Sequence, residues 1–379
     1  MIMTRRERLM ATLRGESVDR PPVSFYEIGG WKLDPDDPDP YNVYSGPGWR
    51  DLIRLAEGET DLIRMMGPLR RPAPDNCMAE FRRSETFVKD GSRYTRVTLE
   101  VGGRTLTSLS RRDPDVATSW TLQHLLKTPE DAEAYLKLPD EAFAHDVSVD
   151  NLVVADAELG DAGIVMVDTA DPLCLAADLF SMADYTVLAL TEPALFHRLL
   201  DKHAQHIYRD VAFVTEAFPG HLWRVVGSEY ASEPLLPPRL YAEYAVRYTK
   251  PIVDMIQGHG GYARIHSHGR LRRILPDIVA MGPAGLDPIE PPPQGDMTLA
   301  ELRREVGREI VLFGNIEASE IEQMSPTAFE ARVRQAIVDG TTGDGRGFVL
   351  MPSSCPYGRQ IPAQVLANYE TMVRLVNDP

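Results

Sequence analysis

The sequence predicts an α/β protein of the (β/α)8 TIM-barrel class, and three observations carry that prediction. From about Asp150 onward, short apolar runs alternate with stretches whose apolar residues recur at three- and four-residue spacing, as strands and amphipathic helices do. The apolar runs end in polar residues, and in such a barrel the C-terminal ends of the strands form the rim where active sites are built. No G-x-G-x-x-G or G-x-x-x-x-G-K-[ST] fingerprint is present, which removes the usual nucleotide ligands of the doubly wound sheet, the main competitor.

The elements follow in order. MIMTRRERLMATLRGE reads as an opening amphipathic helix ending near Arg14-Gly15, and Arg20-Pro21-Pro22 leads into VSFYEI, a short strand ending in Glu27. LDPDDPDPYNVYSGPGW, rich in Asp, Pro and Gly, is a solvated loop. Alternating β-type residues from Thr86 to Ser110, broken at Asp90-Gly91 and Gly102-Gly103, predict antiparallel hairpins. We read residues 1–379 as one barrel domain with this β-hairpin excursion at about 80–115. Beyond it come the strand-like runs GIVMVDTADP, LWRVVGSEY, YARIHSHG, GLDPIEPP, EIVLFGNIE and GFVLMPSSC. Helical stretches such as PPRLYAEYAVRYTKPIVDMIQ, TLAELRREVG and SPTAFEARVRQAIVD separate them.

Composition narrows the function. With 43% hydrophobic and 25% charged residues the chain is an ordinary globular protein, and no apolar run approaches the roughly 20 residues of a membrane helix. A net charge of −16 argues against a nucleic-acid partner. Three scattered cysteines make no disulfide framework, and the N-terminus lacks an apolar signal core, so a cytoplasmic setting is expected. The oligomeric state is not legible.

Chemistry concentrates in YARIHSHGR. His266 and His268 lie two residues apart, so on a strand both rings leave the same face and reach one point. Cys355 follows the last apolar run, Phe348 to Met351. Two imidazoles and a thiolate suit Zn²⁺. Glu27, Asp168, Asp171, Glu229, Glu290 and Asn315 also fall at strand ends, and Tyr26, Trp31, Tyr230 and Tyr357 lie near the predicted rim.

RRERLMATLRGESVDRPPV, LPPRLYAEYAVRYTKPIVDMI with RIHSHG, LRREVGREIVLFGNIEAS and GFVLMPSSCPYGRQIPAQVLANYETMVRLV together resemble the uroporphyrinogen decarboxylase superfamily, most closely from about Leu222 to Val376. The resemblance implies a (β/α)8 barrel and one of two chemistries. One branch decarboxylates uroporphyrinogen without metal; the other holds zinc in a His-x-Cys-Gly motif plus a distant Cys and exchanges methyl groups with a corrinoid protein. At the matching positions stand His266, His268 and Cys355, so histidine replaces the middle cysteine. Where the decarboxylase branch has an arginine-rich segment this chain has FYEIGGWKLDPDDPDP, which favours the methyltransferase branch.

The expected activity is therefore zinc-dependent methyl transfer between a methyl ether or thiol and a corrinoid carried by a partner protein, with zinc as Lewis acid. Glu229, Glu290 and Asn315 are the expected catalytic groups; Tyr26, Glu27, Trp31, Asp168, Tyr230 and Tyr357 the expected substrate contacts. The alternatives are a metal-free decarboxylase or other lyase, and a non-catalytic barrel retaining part of the site. Plainer roles compete residue by residue: Asp168, Asp171, Glu229 and Glu290 as helix caps, His203 and His206 as a helix face.

Overall fold

A computed structural model describes residues 2–307, 309–343 and 347–377. Seven parallel strands form one sheet: Leu62–Met66, Gly163–Ala170, Leu222–Val226, Tyr262–Ser267, Gly285–Pro288, Val311–Ile316 and Phe348–Pro352, each beside its neighbour in sequence. This is a barrel-like α/β fold but not the closed eight-stranded barrel expected from the sequence. The VSFYEI segment contributes only a bridge. Val23 pairs in parallel with Leu350, Ser24 N–H donates to the Leu350 carbonyl at 3.0 Å, and Asp61 N–H donates to the Val23 carbonyl at 2.7 Å. The segment thus ties the two ends of the sheet together without a ladder. Pro21 and Pro22 bring no N–H, and Tyr26 at φ 57° turns the chain away.

The period-two alternation of the strands sorts their side chains into two cores. Ile63, Met65, Ile164, Met166, Leu222, Val311, Phe313, Val349 and Met351 pack inward as one cluster. Val165, Val167, Val225, Ile265, Leu286, Leu312 and Leu350 pack outward against the helices. The opening helix, Arg5–Arg14, closes the inner core with Leu9 and Leu13. Thr4 and Glu7 form its capping box and Gly15 ends it at φ 73°. Fully buried Asp61 holds it by accepting from Arg8 at 2.6 Å and from Arg20 at 2.8 Å.

After the first strand the chain leaves the barrel. The antiparallel excursion is a four-stranded sheet of Arg82–Lys89, Ser92–Val101, Arg104–Arg112 and Ser119–Gln123, longer than the hairpins at 80–115. A second small sheet pairs Leu69–Pro72 with His145–Ser148. Asp150–Leu159 then begins the regular alternation, and the longest helix among the described residues, Pro193–Ala217, belongs to the connection between the second and third strands of the seven-stranded sheet. Among the described residues no helix is long and apolar enough to cross a membrane.

Candidate functional site

Register builds the site. His266 pairs with Asp287 on the adjacent strand, Arg264 with Arg224, and Arg224 with Asp168, so these side chains share the inward face. Asp287 is fully buried, accepts from His266 Nδ1 at 2.8 Å, and lies 2.9 Å from Arg264 Nε. That last approach is an ion pair rather than an aligned hydrogen bond, since Arg264 Nε and Nη2 remain without a hydrogen-bond partner. Burial pushes the Asp287 carboxyl up, but Arg264 and His266 outweigh it and hold it below the ordinary value.

His268, just past the strand, makes the same kind of pairing. Its Nδ1 lies 2.8 Å from Glu290 Oε1, while Glu290 Oε2 accepts from Gly269 N–H at 2.6 Å. Burial opposes protonation of His268, yet the Glu290 hydrogen bond and the charges of Glu290, Glu229 and Asp287 raise its pKa. The two rings meet edge to face with centroids 4.6 Å apart. Each Nδ1 is therefore fixed by a carboxylate, the arrangement that orients an imidazole so that Nε2 can act on a ligand.

Tyr26 stacks along His266 at 6.1 Å, and its hydroxyl accepts from Arg224, whose guanidinium also grips Asp168 at 2.7 and 3.1 Å. Cys355 and Glu27 meet separately: the thiol donates to Glu27 Oε2 at 2.6 Å, and burial followed by Glu27 raises its pKa far above the ordinary value. Among the described residues, no group of three or more His, Cys, Asp or Glu side chains is arranged to hold a metal ion. The histidine pair has the donor chemistry of a zinc site; the thiol is engaged with Glu27 and does not complete one.

Other expected residues take plainer places. Asp171 is a helix cap, accepting from Cys174 N–H at 2.7 Å and Thr249 Oγ1 at 2.8 Å, with burial raising it to about 7. Glu229 accepts from Gly227 N–H at 3.2 Å. Asn315 turns onto Arg332, which donates to its side chain at 3.1 Å and its carbonyl at 2.5 Å, rather than onto the histidines. Tyr230 donates to Asp178 at 2.6 Å. Trp31 lines a groove of about 890 Å³ with Glu57, Arg64 and Met66, and Tyr357 is 53% exposed, its carbonyl accepting from Ala117 N–H. Neither is shown touching the histidines.

Arg224, Arg264, Asp287 and Glu317 belong to the site and were not singled out from the sequence. Arg264-x-His266-x-His268 continues the same-face alternation one step further, which was the available signal for Arg264. Glu317 is buried, accepts from Ser353 Oγ at 3.2 Å, and is lifted to about 7 by burial and then by Glu290. Between its ordinary 4.5 and about 7 the folded chain keeps a proton that the unfolded chain releases. Its stabilising effect is present below that range and lost as pH rises through it, a swing of about 2–3 kcal/mol. Glu317→Gln should therefore gain stability relative to wild type between about pH 5 and about pH 8 in urea unfolding; a pH-independent difference would contradict the assignment.

Gly227 supports the same rim. At φ 131° an added Cβ would lie 2.0 Å from Asp171 Oδ1, so Gly227→Ala is expected to cost at least about 2 kcal/mol in thermal unfolding. A melting temperature within about 1 °C of wild type would show that the rim yields.

The architecture and its mouth define an α/β barrel-like protein with histidines, carboxylates and arginines gathered at strand ends. Residues 114–378 match the family described as Uroporphyrinogen decarboxylase (URO-D), and the chain belongs to that family. Among solved structures, a methyltransferase from Methanosarcina mazei is similar at 15% identity and a TM-score of 0.57, with 99% of each chain covered. None of the curated proteins compared matches this chain.

Proposed function

We propose that this chain is a methyltransferase that moves a methyl group between a small methyl ether or thiol and a corrinoid carried by a separate protein, with zinc held at the histidine pair. The observation that carries the reading is the double pairing of His266 Nδ1 with Asp287 and His268 Nδ1 with Glu290, which leaves two imidazole Nε2 atoms for a ligand at the rim. Its support from shape is the Methanosarcina mazei methyltransferase, similar over nearly the whole of both chains.

His266 and His268 would hold zinc, and Cys355 would join them as thiolate once released from Glu27. Bound there, zinc would supply Lewis acidity toward a substrate oxygen or sulfur. The chain's own groups do the rest. Asp287 and Glu290 fix the two rings, and Tyr26, clamped by Arg224, walls one side. Glu317, lifted to about 7 by burial and by Glu290, would serve as the general acid for a leaving oxygen.

The test supplies methylated ethers, thiols and amines with a reduced corrinoid protein and follows methylcobalt formation. Transfer that requires both chain and partner supports the reading; no transfer across the panel contradicts it. One observation favours a second reading, a metal-free lyase acting on a carboxylated substrate. The Cys355 thiol is bound to Glu27 rather than joined to the histidines as a third ligand. Turnover of a carboxylic acid in the presence of chelator would select it.

A further inference from the structure

A second pocket lies behind the wall of the mouth. It measures about 290 Å³ and is enclosed by the Pro193–Ala217 helix, the two strands Leu69–Pro72 and His145–Ser148, and the end of Gly163–Ala170. His203 and His206 both line it, and the Nε2 atom of each is buried without a hydrogen-bond partner. His203 is only 7% exposed. Two buried imidazole nitrogens without a partner, on residues that line one cavity, mark a place for a polar occupant reached by a turn of the rings.

The surrounding charges indicate its sign. Both carboxylates in the wall are already engaged: Asp210 by Arg70 Nε at 2.7 Å and by His145 Nε2 at 2.8 Å, and Asp168 by Arg224. Among the described residues Arg70 makes that one side-chain hydrogen bond, which leaves its terminal amino groups for a ligand. Arg209 lies 3.6 Å from Asp210, and Lys202 sits over the Phe143 ring. Lys202 is itself paired with Asp140 at 3.3 Å, so these charges balance, and it is the free terminal amino groups of Arg70 that favour an anion. Phe143, stacked on His206 at 5.2 Å, and Ile207 supply an apolar side.

We propose that this pocket binds a small oxyanion, a carboxylate or a phosphate, held by Arg70 and by the Nε2 atoms of His203 and His206. Burial lowers the proton affinity of both imidazoles, His203 to about 4. An anion between them reverses that bias, so binding takes up protons and tightens on acidification. The other ionisable groups facing the pair are Arg70, Tyr135, Lys202, Arg209, Asp140, His145, Asp168 and Asp210. Asp168 also holds Arg224, which donates to Tyr26 beside His266, so the occupant would be linked to the histidine site through those side chains.

Calorimetric titration of the full-length protein with acetate and, separately, with inorganic phosphate tests this at about pH 6 and about pH 8. We expect saturable binding of one of the two anions, about tenfold weaker at the higher pH and about tenfold weaker in Arg70→Gln and in His203→Gln. Arg70 is partly exposed and Asp210 keeps His145 and Arg209, so Arg70→Gln should still fold, at some cost in melting temperature, and decides the matter if His203→Gln unfolds. No saturable heat with either anion up to about 10 mM, or an affinity unchanged in Arg70→Gln, would overturn the proposal.

Discussion

Replacing His268 with alanine is expected to lower methyl transfer by more than about 100-fold while leaving the fold intact. The magnitude follows from position. Losing the partner of a ligand-holding histidine costs about 10–100-fold, and losing the histidine itself must cost more. The paired variant Glu290→Gln supplies the comparison, because it keeps a hydrogen-bonding group near Nδ1 but removes the charge that fixes the ring. The His268 side chain is 41% exposed at the rim, so its removal opens no core cavity and its melting temperature should stay near wild type. If His268→Ala retained more activity than Glu290→Gln, the imidazole would not be the acting group.

Arg264→Met should produce the largest loss of stability, about 3–5 kcal/mol, because it strips a fully buried carboxylate of its cation. Asp287 would then keep only His266 and the charge of Arg224, and burial would push its carboxyl up. Adding Asp287→Asn removes the stranded charge, so the double variant should recover part of the loss in urea unfolding. A double variant no more stable than the Arg264→Met single would show that the arginine acts by packing against Phe313 and Tyr26, over whose rings its guanidinium lies at 4.8 and 5.9 Å.

What could be read from the sequence depended on spacing within one segment. The i, i+2 placement of His266 and His268, the polar strand ends, Glu290 among them, and the opening helix ending near Arg14-Gly15 are all local patterns, and the structure has them. The chain's membership of the uroporphyrinogen decarboxylase family was likewise visible in its motifs. What was not visible is which strands lie side by side and in what register. Asp168, Arg224 and Arg264 form one cross-strand row from segments far apart in the chain, and no periodicity announces it. The Glu27 contact of Cys355 spans 328 residues. The missing eighth strand had a local cause, the positive φ of Tyr26, which an apolar run like VSFYEI conceals. His203 and His206 do lie on one helix, as expected, but their unpaired Nε2 atoms depend on elements packed against that helix.

Everything proposed for the mouth depends on a zinc ion held by the histidine pair with Cys355. Elemental analysis of the purified full-length protein tests it most directly, beside His268→Ala and Cys355→Ala prepared in the same way. Close to one zinc per chain is expected in the wild type, with zinc lost from both variants; wild-type protein free of zinc after growth with the metal, or full occupancy in both variants, would contradict the assignment.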